Sequence, residues 1–84
     1  MVNENMMLVN VIYFQSGTEL NFDIHGGVPE RIELYDCIGR LQLNAPVNNN
    51  KIVLSSANLE SGIYLALLSF KSNTIKLKCY IQKI

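Results

Sequence analysis

The side chains able to carry chemistry are few and scattered. The chain holds one histidine, His25, and two cysteines, Cys37 and Cys79. A zinc site built from His and Cys takes four ligands at set spacings, and these three do not supply one. Neither cysteine lies in a Cys-x-x-Cys motif. Cys79 falls on the apolar side of an alternating stretch and reads as a small core residue, while Cys37 falls in a turn. Pairing the two would need close Cα atoms, which spacing alone does not decide. Ser55, Ser56 and Ser61 have no histidine partner for nucleophilic catalysis, because His25 sits beside Gly26-Gly27 in what reads as a solvated loop. Asp36 and Arg40 read as a local turn contact rather than an acid–base pair. The Gly26-Gly27 pair is not a phosphate loop, since no helix pattern follows it. The aromatic residues are spread over separate stretches, which suits cross-strand packing better than a base-stacking platform. No catalytic, cofactor-binding or metal-binding residue is assigned, and the chain reads as a non-enzyme.

Composition narrows the partners. Eighty-four residues make one small domain, of a size that buries about 60–65% of the surface its unfolded chain exposes. Apolar residues are 49% and charged residues 17%, which is globular rather than disordered. Net charge is zero, so neither nucleic acid nor an anionic membrane is favoured. The zero hides an asymmetry. Every acidic residue lies between Glu4 and Glu60, whereas Lys71, Lys76, Lys78 and Lys83 follow with no acid among them. Those lysines read as the solvent face of a strand pair, guarding an edge. The apolar run Met6 to Phe14 follows Glu4, where a signal peptide carries Lys or Arg. It is also shorter than the roughly 20 residues a bilayer span needs.

The elements that must position these side chains are all strands. Met6 to Phe14 points Met7, Val9, Val11 and Tyr13 one way, and Ser16-Gly17 turns the chain. Glu19 to Ile24 alternates cleanly, with Leu20, Phe22 and Ile24 on the apolar side. After the His25–Pro29 loop, Glu30–Asp36 and Arg40–Ala45 form a hairpin, with Ile32, Leu34, Leu41 and Leu43 expected inward. Lys51 to Leu54 is a short strand. Gly62 opens the longest apolar run, Ile63 to Phe70, which reads as a strand covered on both sides. Thr74 to Lys83 alternates Ile75, Leu77, Cys79 and Ile81 against Lys76, Lys78, Tyr80 and Gln82. Seven short strands with no amphipathic helix between them predict an all-β, seven-stranded antiparallel Ig-like β-sandwich, with a small barrel as the alternative.

Two blocks go beyond generic β patterning: Arg31-Ile-Glu-Leu-Tyr-Asp-Cys-Ile-Gly-Arg40 and Leu59-Glu-Ser-Gly-Ile-Tyr64, followed by a Lys-rich strand running to Lys83-Ile84. In order and spacing they resemble the C-terminal sorting domain of the type IX (Por) secretion system of Bacteroidetes. The family pattern is matched at Ile32, Leu34, Tyr35, Asp36, Gly39 and Arg40, then at Leu59, Gly62, Ile63 and Tyr64. The similarity extends from about Leu20 to Ile84. The family's opening Pro-Asn-Pro stretch has no counterpart in Tyr13 to Thr18.

The resemblance implies a non-catalytic label at the C-terminus of a secreted cargo. It implies recognition by the outer-membrane type IX translocon, and then removal by a sortase-like peptidase that anchors the cargo, or release of the cargo. The location implied is the periplasm in transit to the outer membrane, then the cell surface or the medium. Asp36, Gly39, Arg40, Gly62, Ile63, Tyr64, Lys83 and Ile84 are the family-motif and recognition candidates. The whole chain is expected to be one sorting domain, with residues 1–13 a linker, the first strand or a vector-derived extension. An edge-strand homodimer is a further expectation. A generic Ig-like adhesion or protein/glycan interaction module is the alternative reading, because fold alone does not fix function.

Overall fold

The computed structural model describes residues 9–84. Each regular element is a strand: β1 Asn10–Ser16, β2 Glu19–His25, β3 Arg31–Tyr35, β4 Leu41–Pro46, β5 Lys51–Ser55, β6 Gly62–Ser69 and β7 Thr74–Ile81. They form two antiparallel sheets, ordered β1-β2-β5 and β4-β3-β6-β7. This is the sandwich expected from the sequence. Its fourth strand pairs with β3, whereas in a constant-type Ig domain the fourth strand lies on the first sheet. Met6, Met7 and Leu8, expected in the first strand, lie outside the described residues.

The alternation of residues creates the core. Leu20, Phe22 and Ile24 on β2 face Ile32 and Leu34 on β3 and Tyr64, Ala66 and Leu68 on β6, and all are buried. Cys79 and Ile81 on β7 complete the layer. Each fully buried Leu, Ile or Phe contributes roughly 1.5–3 kcal/mol relative to exposure. The first hairpin closes over Gly17 and Thr18, with Gly17 at φ 58°, a left-handed conformation that glycine adopts without a Cβ penalty.

Three expectations are corrected. His25 is the last residue of β2, not a loop residue, although it is exposed as expected. β6 is covered on one face only: Ile63 is 51% and Leu65 38% exposed, and Leu67 is half-buried. A two-layer sandwich has no third layer to cover that side. Leu41 points outward, 46% exposed. The register runs Leu34↔Leu43 and then Tyr35↔Leu41, so β4 carries one extra residue there. Such a bulge re-aims the side chains beyond it, and Leu41 joins Tyr35 on the outer face.

The sandwich is laced along one side. The Tyr13 hydroxyl donates to the carbonyl of Tyr80 at 3.2 Å. The Gln15 amide then takes both main-chain groups of Gln82: Nε2 donates to the carbonyl at 2.6 Å, and Oε1 accepts from the N–H at 2.9 Å. A side-chain amide thus stands in for a neighbouring strand, joining β1 of one sheet to the end of β7 of the other.

Candidate functional site

The two motif blocks are far apart in sequence, yet they meet at one end of the sandwich. The first block closes the β3–β4 hairpin. Asp36 sits where the chain reverses, and its carboxylate accepts four hydrogen bonds. Oδ1 receives the N–H groups of Ile38 at 3.1 Å and Arg40 at 2.9 Å. Oδ2 receives Arg40 Nε at 2.8 Å and Gln42 Nε2 at 3.0 Å. The main chain closes beneath it, with Gly39 N–H on the Asp36 carbonyl and Asp36 N–H on the Arg40 carbonyl. Gly39 holds φ 88°, which favours glycine. The Arg40 N–H above all, with the Arg40 guanidinium and the Ile38 N–H, outweighs desolvation and holds the Asp36 carboxyl below its ordinary value of 3.8. The Asp-x-x-Gly-Arg pattern is therefore a turn recipe: an acceptor, a residue for the left-handed position, and a cation returning to the acceptor.

The second block forms the corner between β5 and β6. Leu59 plugs the core there. The Tyr64 hydroxyl turns back to donate to the Glu60 carbonyl at 2.7 Å. The same device closes the equivalent corner of Ig sandwiches. Ser61 Oγ accepts the Lys83 N–H at 2.7 Å, and Lys83 Nζ approaches Glu60 Oε2 at 3.5 Å. Lys83 is thus tied to the Glu60-Ser61 pair, while Ile84 is fully outside.

A shallow depression of about 250 Å³ separates the hairpin from this corner, bordered by Arg40, Gln42, Glu60, Ser61 and Ile63. Asp36, Gly39, Arg40, Gly62, Ile63, Tyr64 and Lys83 therefore share one end of the molecule. Their contributions differ in kind. Asp36, Gly39 and Tyr64 act inward, shaping turns. Arg40, Ile63 and Lys83 present side chains to solvent. Gly62 opens β6 in near-extended backbone at φ 158°. The sequence pattern did not single out Gln15 or Gln42, and it gave Ser61 no contact to Lys83. Gln42 acts within its own hairpin, whereas the contacts of Gln15 and Ser61 appear only once distant strands are side by side.

Among the described residues the site offers no reacting pair. His25 lies at the far end of β2 from the Gly17–Thr18 turn, roughly 20 Å away at about 3.4 Å per residue. Both cysteines are free thiols, Cys37 exposed in the hairpin and Cys79 buried. Burial pushes the Cys79 thiol up to about 11. Among the described residues no cluster of three or more His, Cys, Asp or Glu side chains is placed to hold a metal ion.

The sequence profile described as "Secretion system C-terminal sorting domain" matches residues 10–82. The match begins at Asn10, upstream of the similarity read from the motif blocks, and so takes in β1 and its lacing to β7. Neither a curated protein nor a solved structure matches the chain. With the profile running from the first strand to Gln82 and both motif blocks built into one end of the fold, the chain belongs to the family of C-terminal sorting domains of the type IX secretion system.

Proposed function

We propose that this domain is the part of a cargo protein that the outer-membrane type IX translocon reads, and that the reading is of a folded surface rather than of a linear signal. Family membership makes it a secretion signal for export to the cell surface or beyond. The observation supporting the finer reading is the convergence at one end. The hairpin held by Asp36, the corner held by Tyr64, and Lys83 tied to Glu60 and Ser61 form one continuous patch. A receptor contacting that patch would touch Arg40, Ile63 and the Lys83-Ile84 segment together. The cargo precedes the domain in the parent protein. A sortase-like peptidase acting near β1 would separate the two, on a sequence that lacks the family's proline pair.

Fusion to a secreted reporter tests this. Deleting Gln82, Lys83 and Ile84 removes the groups clasped by Gln15 and Ser61. The truncated fusion is expected to remain in the periplasm, while the intact fusion reaches the surface. Normal surface delivery of the truncation would refute the reading.

A further inference from the structure

The open side of β7 plays no part in the patch described above, and the outer face beside it meets that patch at Asp36, Cys37, Ile63 and Tyr64. The direction of main-chain groups along β7 is fixed by its contacts. The Tyr80 carbonyl and both groups of Gln82 face β1. Asn73 and Lys83 instead bond toward Phe70 and Ser61. By antiparallel alternation, Thr74, Lys76 and Lys78 also direct N–H and C=O away from β6. β1 side chains cover this edge at Tyr80 and Gln82, but β7 is the last strand of its sheet, so among the described residues Thr74 to Lys78 has no strand beside it.

Two features mark this stretch as more than a bare edge. The outer face beside it is hollowed into a mostly apolar depression of about 460 Å³, lined by Tyr35, Ile63, Leu65, Leu67 and Lys78, with Asp36, engaged in its own turn, at its rim. Among the described residues Lys76 and Lys78 also have no acidic partner: the ion pairs there are Asp36–Arg40, Asp23–Lys51 and Glu60–Lys83. Edge lysines ordinarily repel strand pairing. The repulsion becomes attraction when the incoming strand is acidic, because opposite charges directly across a strand pair stabilise it and like charges destabilise it. The chain's own edges do not fit. A second β7 would set lysine against lysine, β5 brings Lys51, and β1 and β4 contain no acidic residue. This edge therefore disfavours pairing with a second copy of the chain through β7 and favours a different protein.

We infer that the Thr74–Lys78 edge accepts an extended segment of another protein in which acidic and apolar residues alternate. Its acidic side chains lie beside Lys76 and Lys78 on the outer face. Its apolar ones continue the inner row of Ile75 and Leu77, which is only half-buried without them. Main-chain pairing supplies affinity and the alternating side chains supply selectivity. The inference rests on the sorting reading, and assigns the segment to the secretion machinery.

Titration of the 84-residue chain with a short alternating Glu-Val peptide, followed by NMR of the backbone amides, tests the edge. The expected result is saturable binding, with shifts and exchange protection at Lys76 and Lys78, and no binding of a Lys-Val peptide. Lys76→Glu with Lys78→Glu should lower Glu-Val affinity by at least about tenfold and gain binding of the Lys-Val peptide. Lys76→Pro removes one outward N–H without touching the β6 ladder and should also weaken binding. Shifts confined to β4 or β5, or equal binding of both peptides, would overturn the edge assignment. A Lys76→Glu, Lys78→Glu reporter fusion delivered normally would overturn the assignment to the machinery. The sorting reading itself stands or falls on the terminal truncation, which leaves Lys76 and Lys78 in place.

Discussion

At the scale of single residues, the motif positions are explained first by the turns they make. Asp36 is held below its ordinary value of 3.8. A depressed carboxylate contributes stability that is present above the unfolded value and lost as pH falls through the folded one. Stability should therefore decline as pH drops below 3.8, and Asp36→Asn should flatten that decline in urea midpoints measured across the acid range. An unchanged acid limb would mean that the hairpin does not depend on the charge. Gly39→Ala places a Cβ at φ 88°, in open space, so only backbone strain opposes it, costing about 1–2 kcal/mol. Tyr64→Phe removes the bond to Glu60 and should cost about 1 kcal/mol. Thiol labelling of the native protein at neutral pH should modify Cys37 alone, because Cys79 is buried and its thiol is pushed up to about 11. Modification of both under native conditions would contradict the packing of β7.

At the scale of elements, the strands themselves were readable because their periods are unambiguous. Leu20, Phe22 and Ile24 alternate with Glu19, Asn21 and Asp23, and all three apolar residues are core. The Lys-rich strand behaves the same way. What escaped the sequence were features that depend on neighbours. Leu41 continues the apolar alternation of its strand, and only the bulge opposite Leu34/Tyr35 turns it outward. The run from Ile63 to Leu68 is apolar at every position, so period alone could not tell one covered face from two. The clasp of Gln15 on Gln82 joins residues at opposite ends of the chain, and no local pattern announces it. The motif blocks were legible as blocks, but their meeting at one end was not, because it follows from strand order.

The corrected face of β6 leads to a stability contrast. Ile63→Thr, on the exposed side, should change stability by less than about 0.5 kcal/mol. Phe22→Ala, in the core, should cost about 3–5 kcal/mol, a large part of what a domain of this size possesses. Comparable losses at the two positions in denaturant titration would contradict the two-layer arrangement. Gln15→Ala leaves two main-chain groups of Gln82 unclasped, and amide exchange at Gln82 should rise to that of an open strand end.

At the scale of the whole molecule, the proposed reading has the sorting domain carry its information in shape. Gln15, Asp36 and Tyr64 use their polar groups to lace the two sheets and close turns, and among the described residues no reacting pair is assembled at the motif end. Delivery should accordingly track folding. Substitutions that unfold the sandwich, such as Phe22→Ala, should abolish export even though every motif residue is retained. The most direct measurement is cell fractionation of a secreted reporter fused ahead of the intact domain, in hosts with and without a working type IX translocon. The account predicts reporter at the surface or in the medium only when the translocon is present, and in the periplasm otherwise. Equal delivery in both hosts, or periplasmic retention in both, would contradict it.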